Sequence, residues 1–377
     1  MKIVVIGGGT IGANIAYRLG VEGADVTLIE ARAPGSGTSG ASFSWLSSFP
    51  QVSWNEDAGR AKLRLTINET FEALHAEIGG EWLDWSGTIT YGAAAPDFRR
   101  SVAACLERGI DLRIIDRHEL AQMTPGLSPG PDDDAFVYEP RSGWVDAPAM
   151  IERLVEALRG RKGRVLTGRS VAAITIKGDV VKGVVLDDGS AIEADAVVNA
   201  AGSWASHVSA LAGLAVPLDL VPGVMIYARG ASGALPEQVI NGPDWLMRPD
   251  PGGKVAIHWR GEGLTAIHGG NGSDPAAMVA DIACHVPALR EGAIEDVRIG
   301  IRAIPHGGPV LGALPWLPGF YLAVSHGGVG WGPIWGRLAA TELLKGETVS
   351  ELSGMRPDRF YMQAAPLGRF ADDAEQV

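Results

Sequence analysis

The sequence predicts an α/β protein in which a Rossmann-like dinucleotide-binding domain is interrupted by a second, α+β domain. Three observations predict it. The chain opens on a strand, a glycine loop, a helix and a second strand. Another strand–glycine loop–helix unit stands near the C-terminus. Between them, strand-like runs alternate with Gly-Asp and Asp-Asp-Gly turns and end in a run of small residues.

The first unit is "KIVVIGGGTIGANIAYRLGVEGADVTLIEA", Lys2 to Ala31. Ile3 to Ile6 is an apolar, β-branched run, as a strand covered on both faces requires. Gly7, Gly9 and Gly12 then form a G-x-G-x-x-G loop. Ile11, Ile15 and Leu19 recur at helical spacing, and Val26 to Ile29 forms a second strand closed by Glu30. Gly7 permits the tight turn, Gly9 lets the backbone approach a pyrophosphate, and Gly12 lets the helix pack on the strand. The helix N-terminus presents N–H groups and a positive dipole end to phosphates. Glu30 is placed to accept hydrogen bonds from a ribose diol. This unit alone does not separate NAD from FAD.

Next comes "GSGTSGASFSWLSSF", Gly35 to Phe49. Its serines and glycines suggest a linker, but Phe43, Trp45 and Phe49 are three large aromatics in seven residues, and flexible linkers lack them. After Met150, "IERLVEALRGRKG" reads as a helix. "VAAITIKGDVVKGVVLDDGSAIEADAVVNAAG" then holds three strand-like runs, the last from Ala196 to Val198. That run enters Asn199-Ala200-Ala201-Gly202, where small residues would let backbone pass close to a cofactor; a plain strand end is the alternative. Near the C-terminus, Phe320 to Val324 reads as a strand and Ser325 to Gly332 as a glycine-rich turn. Pro333 to Leu344 reads as a helix, with proline at its entry.

Composition narrows the function. A net charge of −12 without a Lys/Arg block disfavours nucleic acid, whose phosphates need clustered cations. Two distant cysteines, Cys105 and Cys284, make no disulfide framework and read as buried small hydrophobes. The eight histidines lack the close pairing of a metal site, so no metal is expected. The apolar run at the N-terminus is too short for a signal peptide, and no segment reaches the roughly 18 apolar residues of a membrane span. A cytoplasmic protein without a transmembrane segment is expected. The oligomeric state is not readable.

Taken in order, these pieces resemble the FAD-dependent D-amino acid oxidase, glycine oxidase and sarcosine oxidase family, the DAO-type amine oxidoreductases, which also holds D-amino acid dehydrogenases. The carriers are GGGTIG with Glu30, the Thr38-Ser39 step, "VVNAAGSW" from Val197 to Trp204, "GIR…GGPVLG" from Gly300 to Gly312, and "HGGVG" from His326 to Gly330. The resemblance covers nearly the whole chain. It implies a glutathione-reductase-type FAD-binding domain from residues 1–45, 145–213 and 299–365. It implies a substrate domain with a mixed or antiparallel sheet from residues 46–144 and 214–298. Residues 366–377 would be a tail.

It implies FAD as cofactor. Gly7, Gly9, Thr10, Ile11 and Gly12 would lie at the pyrophosphate, Glu30 at the adenosine ribose, and Ala31, Arg32 and Val171 at the adenine end. Thr38 and Ser39 would reach the pyrophosphate, while Gly40, Ala41 and Ser42 pass beneath the flavin. Ala201, Gly202 and Trp204 would run beside the cofactor. Gly327, Gly328, Val329 and Gly330 would place N–H groups at the flavin pyrimidine edge, where donors stabilise negative charge on the reduced ring. Arg302 stands where the family binds the substrate carboxylate, a task suited to a guanidinium; a structural ion pair is the alternative. Ala303 replaces the family's proline, and His306 replaces an aspartate.

His258 falls on a strand that the family runs over the flavin face. The family's oxidases can carry a lysine there, and Lys254 or Ala256 aligns with it here. His258 and His326, with His306, are the acid–base candidates. Trp54, Trp82 and Trp85 read as core, and Trp331 as either site wall or packing. The implied reaction is oxidation of the C–N bond of an amino acid or secondary amine by hydride transfer to flavin N5, with the imine hydrolysed afterwards. A flavin dehydrogenase serving a quinone or partner, a 2-hydroxy acid oxidase, and a non-catalytic flavin protein stay open.

Overall fold

The computed structural model describes residues 1–48, 58–92, 95–231, 233–259 and 274–361. In chain order, β1 (Lys2–Ile6), α1 (Thr10–Val21) and β2 (Asp25–Glu30) form the first unit. A 3-10 turn (Thr38–Ala41) and the short β3 (Trp45–Leu46) follow. Next come α2 (Ala58–Arg64), α3 (Ile67–Ile78), β4 (Leu83–Asp84), β5 (Thr88–Tyr91) and α4 (Ala95–Glu107). β6 (Arg113–Ile115), α5 (Arg117–Met123), β7 (Phe136–Glu139) and β8 (Gly143–Val145) complete that stretch. α6 (Ala147–Gly160) leads to β9 (Arg164–Thr167), β10 (Val171–Lys177), β11 (Val180–Leu186), β12 (Ala191–Glu193) and β13 (Ala196–Asn199). A second 3-10 turn (Gly202–Trp204) precedes α7 (Ala205–Ala210). The rest comprises β14 (Leu218–Arg229), β15 (Val239–Asn241), β16 (Trp245–Asp250), β17 (Lys254–Trp259) and α8 (Pro275–Ile282). β18 (Ala293–Pro305), β19 (Val310–Ala313), β20 (Phe320–Val324) and α9 (Gly328–Lys345) end it.

The N-terminal unit seeds a six-stranded sheet in the order β19-β20-β13-β1-β2-β9. Its strands are parallel except for β19, which pairs antiparallel with β20. Ile3, Val5, Leu28 and Val198 face Ile15 and Leu19 of α1, Leu154 of α6 and Ile334 of α9. The alternate residues, Val4, Ile6, Ile29 and Val197, face Val171, Ile174 and Val184 of the three-stranded sheet β10-β11-β12. Burial on both faces explains why these strands read as unbroken apolar runs.

An eight-stranded sheet runs β18-β14-β17-β16-β15-β5-β7-β6, antiparallel except for the parallel β15–β5 pair. The sheet is therefore mixed. One face is covered by Met278, Val279 and Ile282 of α8, packed on Val224, Ile226 and Ile257. The opposite face presents Met225, Tyr227, Leu246 and Ala256 to Phe43 and Trp144. β3, β8 and β4 form a small sheet between the two larger ones in sequence. β18 crosses the 298/299 boundary expected from the sequence and pairs with β14 along its length.

Several expectations need correction. The run from Val171 to Asn199 holds four strands rather than three, because the short β12 adds an antiparallel partner to β11. α6 starts at Ala147, earlier than its apolar periodicity suggests, because the Asp146 carboxylate caps it by accepting from Ala149 N at 3.1 Å. α9 starts at Gly328, so Pro333 lies inside the helix. Cys105 is buried, but Cys284 is exposed. Cys284 follows α8, whose Met278, Val279, Ile282 and Ala283 already supply the inward side. Trp82 is buried core and Trp85 packs partly buried against the same cluster. Phe49, Trp54 and residues 366–377 lie outside the described residues.

Candidate active site

The site begins where two helices meet. A Cβ at Gly328 would sit 3.2 Å from Ile11 Cδ1, one at Gly332 2.8 Å from Thr10 Cγ2, and one at Gly336 2.8 Å from Asn14 O. Glycine at every fourth position of α9 thus lets it lie directly on α1, which sets the two helix N-termini side by side. Neither helix has a side-chain cap or an acid in its first turn. Apart from Thr10 N, which donates to Ser39 Oγ, both positive ends are open to an external anion.

Three observations fit a dinucleotide there. Gly7 has φ +106° and stands against the Ala200 carbonyl, which a Cβ would approach to 2.5 Å. A Cβ at Gly12 would lie 1.9 Å from Gly7 O, so the loop closes only around glycine. At the end of β2, the Glu30 carboxylate accepts from Gly8 N at 2.7 Å and Arg32 N at 2.9 Å. Each oxygen keeps a further lone pair for a ribose hydroxyl. Beside it, Gly168 N donates to Arg32 O and Arg169 N to Glu30 O, which brings the start of β10, with Val171, near Ala31 and Arg32. Ala200 N donates to Ile6 O and Ala201 N to Asn199 Oδ1, so the small-residue segment lies along Gly7.

The Thr38–Ala41 turn splits its contacts. Ser39 Oγ accepts from Thr10 N at 3.0 Å, at the first turn of α1. Thr38 Oγ1 instead donates to Ile301 O at 2.6 Å, so its proton goes to β18 rather than to the helix end. A Cβ at Gly300 would lie 3.1 Å from Ala41 O, and Arg298 Nη1 donates to Gly40 O at 3.2 Å. β18 thus holds residues 38–41 with the same strand that carries Arg302.

Pairing puts Arg302 opposite Val221, Arg298 opposite Met225 and His258 opposite Met225 on the sheet face that meets Phe43. The Arg302 guanidinium is half-buried and donates to Val221 O at 3.3 Å and Pro222 O at 3.0 Å. Burial lowers its pKa, and among the described residues no carboxylate pairs with it. His326, in the glycine loop before α9, is exposed, and partial desolvation, then the charges of Arg302 and Arg60, shift its pKa down from the usual histidine value. The structure thus brings Arg302 and His326 together. His258 Nδ1 lies 3.1 Å from Val224 O. His306 is exposed past the end of β18, its Nε2 3.1 Å from Asp219 Oδ1. Trp204 is 67 % exposed and meets the His207 ring edge-on.

Trp331 belongs to packing. It is buried, stacks on Trp335 at 5.1 Å, and carries Arg60 and Arg64 each 5.3 Å from its ring centre. Lys254 sits within 3.7 Å of Asp250 and 3.9 Å of Glu295. Two residues near the site carried no sequence signal. Buried Glu139 accepts from Ser47 Oγ and from Ser48 N at 2.7 Å, and buried Arg248 donates to Phe43 O at 2.9 Å. Neither belongs to a motif, and only the pairing of distant strands brings them to residues 43–48.

The chain is similar to known proteins along most of its length. The chain is 25 % identical over 373 residues to a Bacillus subtilis protein named uncharacterized oxidoreductase YurR, covering 94 % of this chain and 98 % of that one. It is 25 % identical over 365 residues to glycine oxidase of Geobacillus kaustophilus, covering 93 % and 95 %. The crystal structure of glycine oxidase from Geobacillus kaustophilus superposes with a TM-score of 0.80 at 23 % identity, over 94 % of this chain and 98 % of that chain, which speaks for the fold. D-amino acid dehydrogenase 2 of Mesorhizobium japonicum is 25 % identical over 400 residues, covering 88 % and 93 %. The model of the DAO family, described as FAD dependent oxidoreductase, matches residues 2–342, and the chain belongs to that family.

Proposed function

We propose that this FAD-dependent oxidoreductase oxidises the C–N bond of an amino acid or secondary amine and holds the substrate carboxylate on Arg302. The observation that carries the proposal is the state of that guanidinium. It is half-buried, aimed by two backbone carbonyls, and without a carboxylate partner among the described residues. A desolvated cation so fixed gains most from a bidentate anion. The names of the relatives glycine oxidase and D-amino acid dehydrogenase 2 point the same way.

Gly7, Gly9, Thr10, Ile11, Gly12 and Ser39 would hold the FAD pyrophosphate, and Glu30 the ribose, with Ala31, Arg32 and Val171 near the adenine. Gly327, Gly328, Val329 and Gly330 at the open end of α9 would meet the flavin's polar edge. When bound, FAD supplies the two-electron acceptor. The protein's own part is to orient the substrate through Arg302 and to exclude water. His326, kept neutral beside Arg302, is able to accept a proton from a bound ammonium group. We assign residues 1–45, 145–213 and the part of 299–365 beyond β18 to cofactor binding, and residues 46–144, 214–298 and the rest of β18 to the substrate lobe.

A second reading concerns the electron acceptor. Lys254 lies near Asp250 and Glu295, leaving Ala256 and His258 as the next residues on that side of β17. That favours an acceptor other than oxygen. The test is anaerobic mixing of the flavin-loaded protein with amino acids, N-methylated amino acids and 2-hydroxy acids. Bleaching by an amine class is expected; bleaching by hydroxy acids alone would replace the reading. Slow recolouring in air, with fast recolouring by a quinone, is expected for the second.

A further inference from the structure

Among the described residues, the non-glycine residues with positive φ are Ser44 at 58° and Lys162 at 65°. Lys162 is exposed in the turn after α6, a place where a left-handed residue is ordinary. Ser44 is 5 % exposed and follows directly on the cofactor segment. A side chain rarely adopts this conformation, and when buried it persists only if the surroundings over-determine it.

Those surroundings can be named. Ser44 N donates to Ser42 Oγ at 3.2 Å, and Ser44 Oγ donates to Ser42 O at 3.3 Å. Val145 N, from β8, donates to Ser44 O at 3.0 Å. From the opposite side, Arg248 Nε donates to Phe43 O at 2.9 Å. Arg248 is itself tightly fixed: 4 % exposed, its guanidinium 4.3 Å from the Trp144 ring centre. Its Nη1 donates to Asp250 Oδ1 and to Pro249 O, each at 2.8 Å. Trp144 pairs with Trp45 across β3 and β8. The Phe43–Ser44 peptide is therefore clamped between β16 and β8.

Rotation about φ of Ser44 turns the peptide that bears Phe43 O. Relaxing Ser44 to negative φ would carry that carbonyl away from Arg248 Nε, so the bond and the strain are coupled. Arg248 and Ser44 also border a cavity of about 220 Å³ together with Ser39, Gly40 and Ser42. The strain thus sits in the wall of the cofactor segment, not in a remote turn.

We propose that Arg248 is a positioning residue for the cofactor: by holding the Phe43–Ser44 peptide it keeps Ser44 left-handed and fixes the course of residues 39–42 beside bound FAD. This is independent of which substrate the protein takes. It rests on residues 39–42 lying at the cofactor.

The test is a rescue. Apoprotein is titrated with FAD, and affinity is read from the quenching of flavin fluorescence. Arg248→Lys keeps the charge but loses the planar stack and the Nε donor; it is expected to weaken FAD binding by about tenfold. Adding Ser44→Gly makes positive φ free of strain and is expected to recover most of that loss. A guanidinium that merely joins two sheets gives a lower melting temperature with unchanged FAD affinity, or a loss of affinity that Ser44→Gly leaves in place. Either result overturns the proposal. If Arg248→Lys is insoluble alone, Asp250→Asn, which removes the carboxylate partner of the guanidinium, takes its place with the same expected and overturning outcomes.

Discussion

The two sides of the candidate active site are made of different material. The α1–α9 side is built of backbone: glycines, amides and two helix ends without an acid in the first turn. The β14–β18 side is built of side chains, with Arg298 and Arg302 set on a long strand and His326 beside them. A backbone site demands that side chains be absent at fixed positions, and it binds any ligand with a phosphate. A side-chain site demands particular charges and chooses among ligands. Retention of FAD and choice of substrate should therefore separate cleanly under mutation.

The largest effect is expected on the backbone side. Gly12→Val would put a Cβ 1.9 Å from Gly7 O, which only a displacement of the loop can relieve. We expect a loss of about 3–5 kcal/mol of stability, at the upper end for single substitutions, and no visible flavin spectrum after purification with added FAD. A Gly12→Val protein that keeps its flavin would break the comparison, because the cradle would then tolerate side chains.

Arg302→Met should do the reverse. Flavin content stays normal, while kcat/KM falls by about 30- to 1,000-fold, the equivalent of about 2–4 kcal/mol for loss of a desolvated charge pair. Steady-state kinetics with the best amine substrate, beside the absorbance ratio of flavin to protein, checks both halves. Loss of flavin in parallel would make Arg302 a structural residue.

The same contrast explains what the sequence made legible. Gly7, Gly9, Gly12 and Glu30 are read directly, because backbone geometry forces residue type at fixed spacing. Arg302 was reached through the resemblance to a family, since an arginine on a strand has no spacing rule. Arg248 and Glu139 were missed altogether. Each acts on residues 43–48 from a strand far along the chain, and pairing across the sheet, not local sequence, creates the contact. The start of α9 was misread at Pro333, although Gly328 already opens the helix. Gly328 and Gly332 read as part of a turn, but with Gly336 their spacing is a helix–helix packing face.

A smaller effect sharpens the electrostatics of the side-chain side. Partial desolvation of the exposed His326, with the charges of Arg302 and Arg60, lowers its pKa from its ordinary value near 6.5. The unfolded chain then binds the proton first, so stability is complete above about pH 6.5 and declines as pH falls into the window below it. Denaturant midpoints measured across that window should fall with pH in the native protein. In His326→Gln the part of that slope due to this group should vanish. An unchanged slope would mean that the field of Arg302 and Arg60 does not reach His326.

The smallest effect is expected at His306, and it bears on which histidine serves the chemistry. His306 stands where the family has an aspartate, which makes it a rival to His326 by sequence alone. In the fold its side chain is 56 % exposed and its Asp219 partner 68 % exposed. Exposed pairs of this kind are screened by water and cost side-chain entropy to hold. His306→Ala should therefore change stability by no more than about 0.5 kcal/mol and leave kcat/KM and its pH profile where they were. Removing the rival should thus be silent, whereas His326→Gln lowers kcat. A reversal of that order, with His306→Ala reshaping the pH profile, would move the proton-handling group from the glycine loop to the end of β18.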